Sequence, residues 1–207
     1  MGNRKREFVI KDLMAPEFMV CEGRKVLLTE TEESGKSRLQ VQLMSEENLC
    51  IANIDKKKTE FHFFQEGKAK FLYKRVDHMI FERKKENRWK LHLIEMKGSV
   101  GQEKWVEIKG KFRASYLVAQ ALAGMLELNI SETVMYTTYE RVEFGHSDTM
   151  PAARHGRSGI PQVRMGEEWE GDRFGLNFGE RISFAHVPVK MERDREGILT
   201  GFLELLL

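Results

Sequence analysis

Two acids and a lysine, Asp77, Glu95 and Lys97, stand in a stretch whose patterning brings them together: VDHMIFERKKENRWKLHLIEMK, residues 76–97. Trp89, Leu91 and Leu93 alternate along its second half, and Glu95 and Lys97 continue the same phase, so period-2 geometry places all five on one face of a strand. The first half, Val76 to Phe81, is denser in apolar side chains, and the charged run RKKENR between the halves suits a hairpin tip. With Glu86 at the centre of that tip, Phe81 faces Leu91, Met79 faces Leu93 and Asp77 faces Glu95. A slip of two residues would set Asp77 opposite Leu93 or Lys97 instead, and a slip of one would reverse its face. Carboxylates directly opposed on an antiparallel pair, with Cβ atoms about 4.5 to 5.5 Å apart, repel. A cation relieves that repulsion. A hard divalent ion accepts carboxylate oxygens while keeping several waters, and it activates water against a phosphoryl group. A lysine beside it adds fixed positive charge for the anion that develops.

Asp77 in VDHMIF and Glu95-Met96-Lys97 in LHLIEMK resemble the active-site hairpin of the PD-(D/E)xK nuclease superfamily. The resemblance covers roughly residues 50–128 and implies a restriction-endonuclease-like α/β fold: a mixed central β-sheet flanked by helices, here with additional strands. It implies that Asp77 and Glu95 bind Mg²⁺ or Mn²⁺, that Met96 offers its backbone carbonyl to the ion, and that Lys97 assists phosphodiester hydrolysis. Val76 stands where the family often has proline, and the family's further metal-binding glutamate has no assigned counterpart; Glu32, Glu33, Glu46 and Glu47 are the nearby candidates. Tyr116 and Gln120 show the spacing of a family helix motif in reversed order, which leaves Gln120 as a candidate for substrate contact or, as readily, an ordinary exposed residue.

The net charge of +2 conceals an asymmetry: residues 56–113 hold 17 Lys and Arg against 8 Asp and Glu, a local +9, and the rest of the chain carries −7. Such a basic segment suits a phosphate backbone, DNA ahead of RNA, although a solvated face with local ion pairs produces the same composition. Lys104, Lys109, Lys111 and Arg113, just beyond the acid-x-lysine triplet, are the candidate nucleic-acid contacts. Cys21 and Cys50 are too few for a disulfide framework and match no metal-ligand spacing. His62, His78 and His92 lack paired zinc spacing, and the latter two fall out of phase with the acids. No stretch approaches the ~20 apolar residues of a membrane span, and the start lacks the apolar run of a signal peptide, so a cytoplasmic protein is expected.

The elements that must position these residues follow in order. Residues 4–14 suggest a short amphipathic helix, and KVLLTETEESGKSRLQVQLM a pair of strands about a turn at Glu33 to Lys36. LCIANI and residues 60–64 read as buried strands. Gly98 to Gly101 reads as a flexible connection into a helix over 102–128, with Trp105, Ile108, Phe112, Ala119, Leu122 and Leu126 on its apolar stripe; Gly110 interrupts the pattern and suggests a start at Lys111. Residues 132–144 alternate as a strand, and strand-helix-strand succession predicts a crossover into the same sheet. Residues 145–179, with seven glycines and two prolines, read as a long loop: a substrate flap, a homodimerisation arm, or mobile chain. The ending, residues 181–207, gives two more strands about a turn near Asp194 to Gly197. One domain over 1–207 is the expectation for a core of this size. The expected function is metal-dependent nucleic-acid hydrolysis, with a non-catalytic nucleic-acid-binding or assembly protein of nuclease-like fold as the alternative, and a simple salt-bridged hairpin as the third.

Overall fold

The computed structural model describes residues 19–20, 23–30, 36–46, 48–51, 70–144 and 165–205. In chain order these form β1 (Met19–Val20), β2 (Lys25–Glu30), β3 (Ser37–Gln42), β4 (Asn48–Ile51), a 3-10 turn (Lys70–Tyr73), β5 (His78–Arg83), β6 (Arg88–Glu95), β7 (Ser99–Gly101) and α1 (Gln102–Leu126). Then come β8 (Asn129–Tyr139), β9 (Arg141–Glu143), α2 (Met165–Glu170), β10 (Arg173–Asn177), β11 (Arg181–Lys190), β12 (Glu192–Arg193) and β13 (Leu199–Glu204).

The fold grows from the β5–β6 hairpin, which forms in the expected register: Phe81 opposes Leu91 and Met79 opposes Leu93. Glu86 at the tip takes a left-handed conformation, φ 60°, which lets the charged turn close. β4 extends the hairpin antiparallel, while β8 returns through α1 to lie parallel to β6 as the crossover predicts. β11 continues in parallel beside β8, and the seven-stranded sheet runs β1-β4-β5-β6-β8-β11-β10. A second, four-stranded sheet runs β12-β13-β3-β2.

The large sheet is covered on both faces, by different means. Met79, Phe81, Trp89, Leu91 and Leu93 pack against the α1 stripe of Trp105, Ile108, Phe112, Ala119 and Leu126. On the other face Ile80, Ile94, Met96 and Tyr136 pack against Val26, Leu28, Leu39, Val41 and Leu203 of the second sheet. Double coverage explains the density of apolar residues in β5, where only Arg83 is not buried. Among the described residues, both helices join the core on the β5 Met79 face. β3 buries alternate residues, which leaves one apolar side, and that side packs on the large sheet.

Other boundaries differ from the sequence reading. α1 starts at Gln102 and runs unbroken through Gly110, which is exposed and has nothing within 4 Å of an added Cβ. Its cost is the roughly 1 kcal/mol of glycine's helix propensity, which the buried stripe outweighs. Residues 99–101, read as a flexible connection, pair in parallel with β9. The long-loop reading of 145–179 fails in its last fifteen residues, where α2 supplies Trp169 and β10 supplies Phe174 and Leu176 to the core. The expected helix at 4–14, the strand at 60–64 and the loop at 145–164 lie outside the described residues. No helix among those described is long and apolar enough to cross a membrane.

Candidate active site

Asp77 directly precedes β5, and the hairpin register, which pairs His78 with Ile94, places it across from Glu95 at the end of β6. On the far side of β6, Glu95 pairs with Thr137 of β8. The main chain after Glu95 is fixed at two points. The Met96 N–H donates to Asp77 Oδ2 at 2.6 Å, and the Lys97 N–H donates to Thr138 Oγ1 at 2.9 Å. Met96 therefore meets Asp77 through its backbone, while its side chain is buried in the core between the two sheets.

Lys97 turns back so that Nζ lies 2.8 Å from Glu95 Oε1. A second ammonium, that of Lys111 on α1, donates to the same oxygen at 2.7 Å. Glu95 is 0% exposed and Asp77 4%, whereas the side chains of Lys97 and Lys111 are 28% and 14% exposed, so solvent meets the cluster on its lysine side. Burial, then the neighbouring Glu95, pushes the Asp77 carboxyl up to about 8, against the opposing pull of Lys111, the Met96 N–H and Lys97. Burial disfavours the Lys97 ammonium, but Glu95, Asp77 and Glu107 outweigh it and raise the group above the ordinary lysine range.

The donors suit a hard cation. Glu95 Oε2 is buried with no hydrogen-bond partner, and it lies with Asp77 in an all-oxygen set of the kind Mg²⁺ and Mn²⁺ take. Among the described residues no three His, Cys, Asp or Glu converge on one point, so the side chains would supply two carboxylates and leave the remaining positions to main-chain carbonyl, water and phosphate oxygens. Of the candidates for a further acid, Glu32, Glu33 and Glu47 lie outside the described residues. Glu46 sits 3.6 Å from Arg24 in an open polar cleft of about 490 Å³ that also includes Arg83 and Glu86, at the opposite end of the hairpin from Asp77.

The four proposed nucleic-acid contacts do not form one row. Lys104 and Lys111, seven residues apart, share one flank of α1; Lys109 and Arg113, four apart, share the other. Lys111 reaches into the acid pair, donating to Glu95 Oε1 at 2.7 Å. Lys109 is committed to Glu168 Oε2 at 2.6 Å, Lys104 donates to Ser99 Oγ at 2.7 Å, and the Arg113 guanidinium lies 4.8 Å from the centre of the Phe71 ring. Gln120 is exposed on α1, away from the acids in sequence and pattern.

Two buried polar clusters escaped the sequence reading. On the inter-sheet face, Glu82 accepts the Met44 and Ser45 N–H groups at 2.8 and 3.2 Å and contacts His92 Nε2 at 3.0 Å, while His92 Nδ1 meets Tyr136 Oη at 3.1 Å. Burial alone would raise Glu82, but these partners bring it down to about 2. On the helix face, His186 lies among Trp105, Trp169 and Phe174 and contacts Thr137 Oγ1 at 3.1 Å, and burial pushes its imidazole down to about 3. Apart from Glu82–His92, which lies within the hairpin, these contacts join residues far apart in sequence, which spacing along the chain does not reveal. The phase of His92, opposite to Glu95, was the one available signal. No protein-family model matches the chain, and no curated protein and no solved structure is significantly similar to it.

Proposed function

We propose that the protein is a divalent-metal-dependent nuclease that hydrolyses phosphodiester bonds of DNA, with RNA the alternative substrate. One observation carries the reading: Asp77, Glu95 and Lys97 meet at a single end of one hairpin, with Lys97 Nζ 2.8 Å from Glu95 Oε1 and Asp77 bonded to the Met96 N–H. Asp77 and Glu95 would hold Mg²⁺ or Mn²⁺ by carboxylate oxygens, with the Met96 carbonyl as a third donor. When bound, such an ion supplies an activated water and neutralises charge on the phosphoryl oxygens. Lys97 holds three N–H donors at the partly exposed side of the cluster, where they can meet a non-bridging phosphate oxygen. Thr138 fixes the Lys97 backbone from both sides, accepting its N–H and donating to its carbonyl at 3.2 Å, so the lysine is held by main chain as well as by charge.

The test is a cleavage panel of single- and double-stranded DNA and RNA with Mg²⁺, Mn²⁺ or EDTA, run beside Lys97→Ala. Cleavage that needs the ion and falls at least a hundredfold in the variant is expected; cleavage at full rate in the variant refutes the assignment. A non-catalytic nucleic-acid-binding reading is favoured by a different observation, that both acids are buried while the Lys97 and Lys111 side chains are partly exposed. It predicts nucleic-acid binding that ignores divalent ions and survives Glu95→Ala, with no cleavage of any substrate.

A further inference from the structure

Lys111 has no counterpart in the acid-x-lysine pattern, yet it contacts Glu95 at a shorter distance than Lys97 does. It lies on a flank of α1 beside the buried stripe of Ile108 and Phe112, with its side chain 14% exposed. Bringing an ammonium this far out of water is costly unless its surroundings return the loss, and Glu95 Oε1 already has a partner in Lys97. Two ammonium groups on one carboxylate oxygen leave donors to spare. Both lysines front the solvent-facing side of the cluster, so an arriving anion meets positive charge first, and an arriving cation finds Glu95 Oε1 occupied.

We propose that Lys111 is a second phosphate-contacting lysine of the site: with Lys97 it receives the scissile phosphate, and the transfer of both ammonium groups from Glu95 to the phosphate frees Oε1 for the divalent ion. This rests on the nuclease reading given above and adds an order of assembly to it. Metal and nucleic acid then bind with positive coupling, each tightening the other by the same factor.

The test uses the full chain, a short labelled DNA duplex and Mn²⁺. With EDTA present, Lys111→Met is expected to weaken duplex binding about fivefold or more and to lower the slope of log affinity against log salt by roughly one, the signature of one lost phosphate contact. Lys111→Arg should retain the slope. Without nucleic acid, Lys111→Met should bind Mn²⁺ more tightly than the unaltered protein, because one of the two ammonium groups competing for Glu95 Oε1 is gone. Opposite signs for the two ligands separate this role from a structural one, which would weaken both. Unchanged duplex affinity and slope in Lys111→Met, or weaker binding of both ligands, overturns the proposal. If no variant binds Mn²⁺ while the duplex results come out as expected, the metal-dependent reading falls and the phosphate contact of Lys111 stands. Lys111→Gln gives the same salt-slope readout should the methionine variant not fold.

Discussion

Asp77→Asn separates what the site does for stability from what it does for chemistry. The Asp77 carboxyl is raised from 3.8 to about 8 by burial and by Glu95, so without metal the folded protein keeps a proton there that the unfolded chain has lost. Between about pH 4 and 8 the native state therefore binds one more proton than the unfolded state, and stability falls as pH rises, by up to about 1.4 kcal/mol per pH unit. Asparagine resembles the protonated acid in shape, and its side-chain oxygen can still accept the Met96 N–H that Asp77 now accepts at 2.6 Å. The variant should lack this pH slope and be at least as stable as the unaltered protein at pH 7. His92 and His186 are lowered by burial, so each adds the opposite trend below pH 6.5, where the unfolded chain binds the extra proton. Both remain in the two proteins, so the difference between them isolates Asp77. The measurement is urea unfolding in EDTA at pH 5, 6 and 7. A stability difference that shifts by roughly 3 kcal/mol across that range in favour of the variant is expected. A flat difference, or a variant more than about 2 kcal/mol less stable at pH 7, refutes the reasoning. The same substitution should remove Mn²⁺-dependent stabilisation and cleavage.

Glu95→Gln leaves the ammonium groups of Lys97 and Lys111 without their carboxylate and should cost about 3 kcal/mol by denaturant unfolding, the low end for a broken buried pair because both lysines can turn toward solvent. Adding Lys111→Met to that variant should recover part of the loss, and a further drop would show that the pair is held by something else. Glu82, held down at about 2, contributes stability that is present above pH 4.5 and lost as pH falls toward 2. Glu82→Gln should flatten that acid limb in circular dichroism and cost up to roughly 3 kcal/mol at neutral pH; an unchanged limb would place the acid transition elsewhere.

The hairpin was legible because its information is local. Alternation in Trp89, Leu91, Leu93 and Glu95 assigns a face, the RKKENR tip assigns a register, and together they bring Asp77 to Glu95 without knowledge of any other element. The α1 stripe and the parallel return of β8 were legible for the same reason: helical period and crossover geometry are written in neighbouring residues. Lys111 was visible as a cation near the site, but whether it met solvent or Glu95 depended on how α1 rotates against β6, which packing of Trp105, Ile108 and Phe112 decides.

The cover on the second face of the large sheet was likewise settled in three dimensions, because strand alternation in β3 states that one side is apolar and not what it lies against. The His92–Tyr136 and Thr137–His186 contacts join strands that are distant in sequence, and a buried polar group is satisfied by whichever partner the fold delivers. The sequence by itself determined the hairpin, its register and the phase of its acids, since backbone periodicity is a property of adjacent residues. Tertiary structure alone decided how deeply those acids are buried and which lysines share them, since burial and ion pairing are properties of elements packed together.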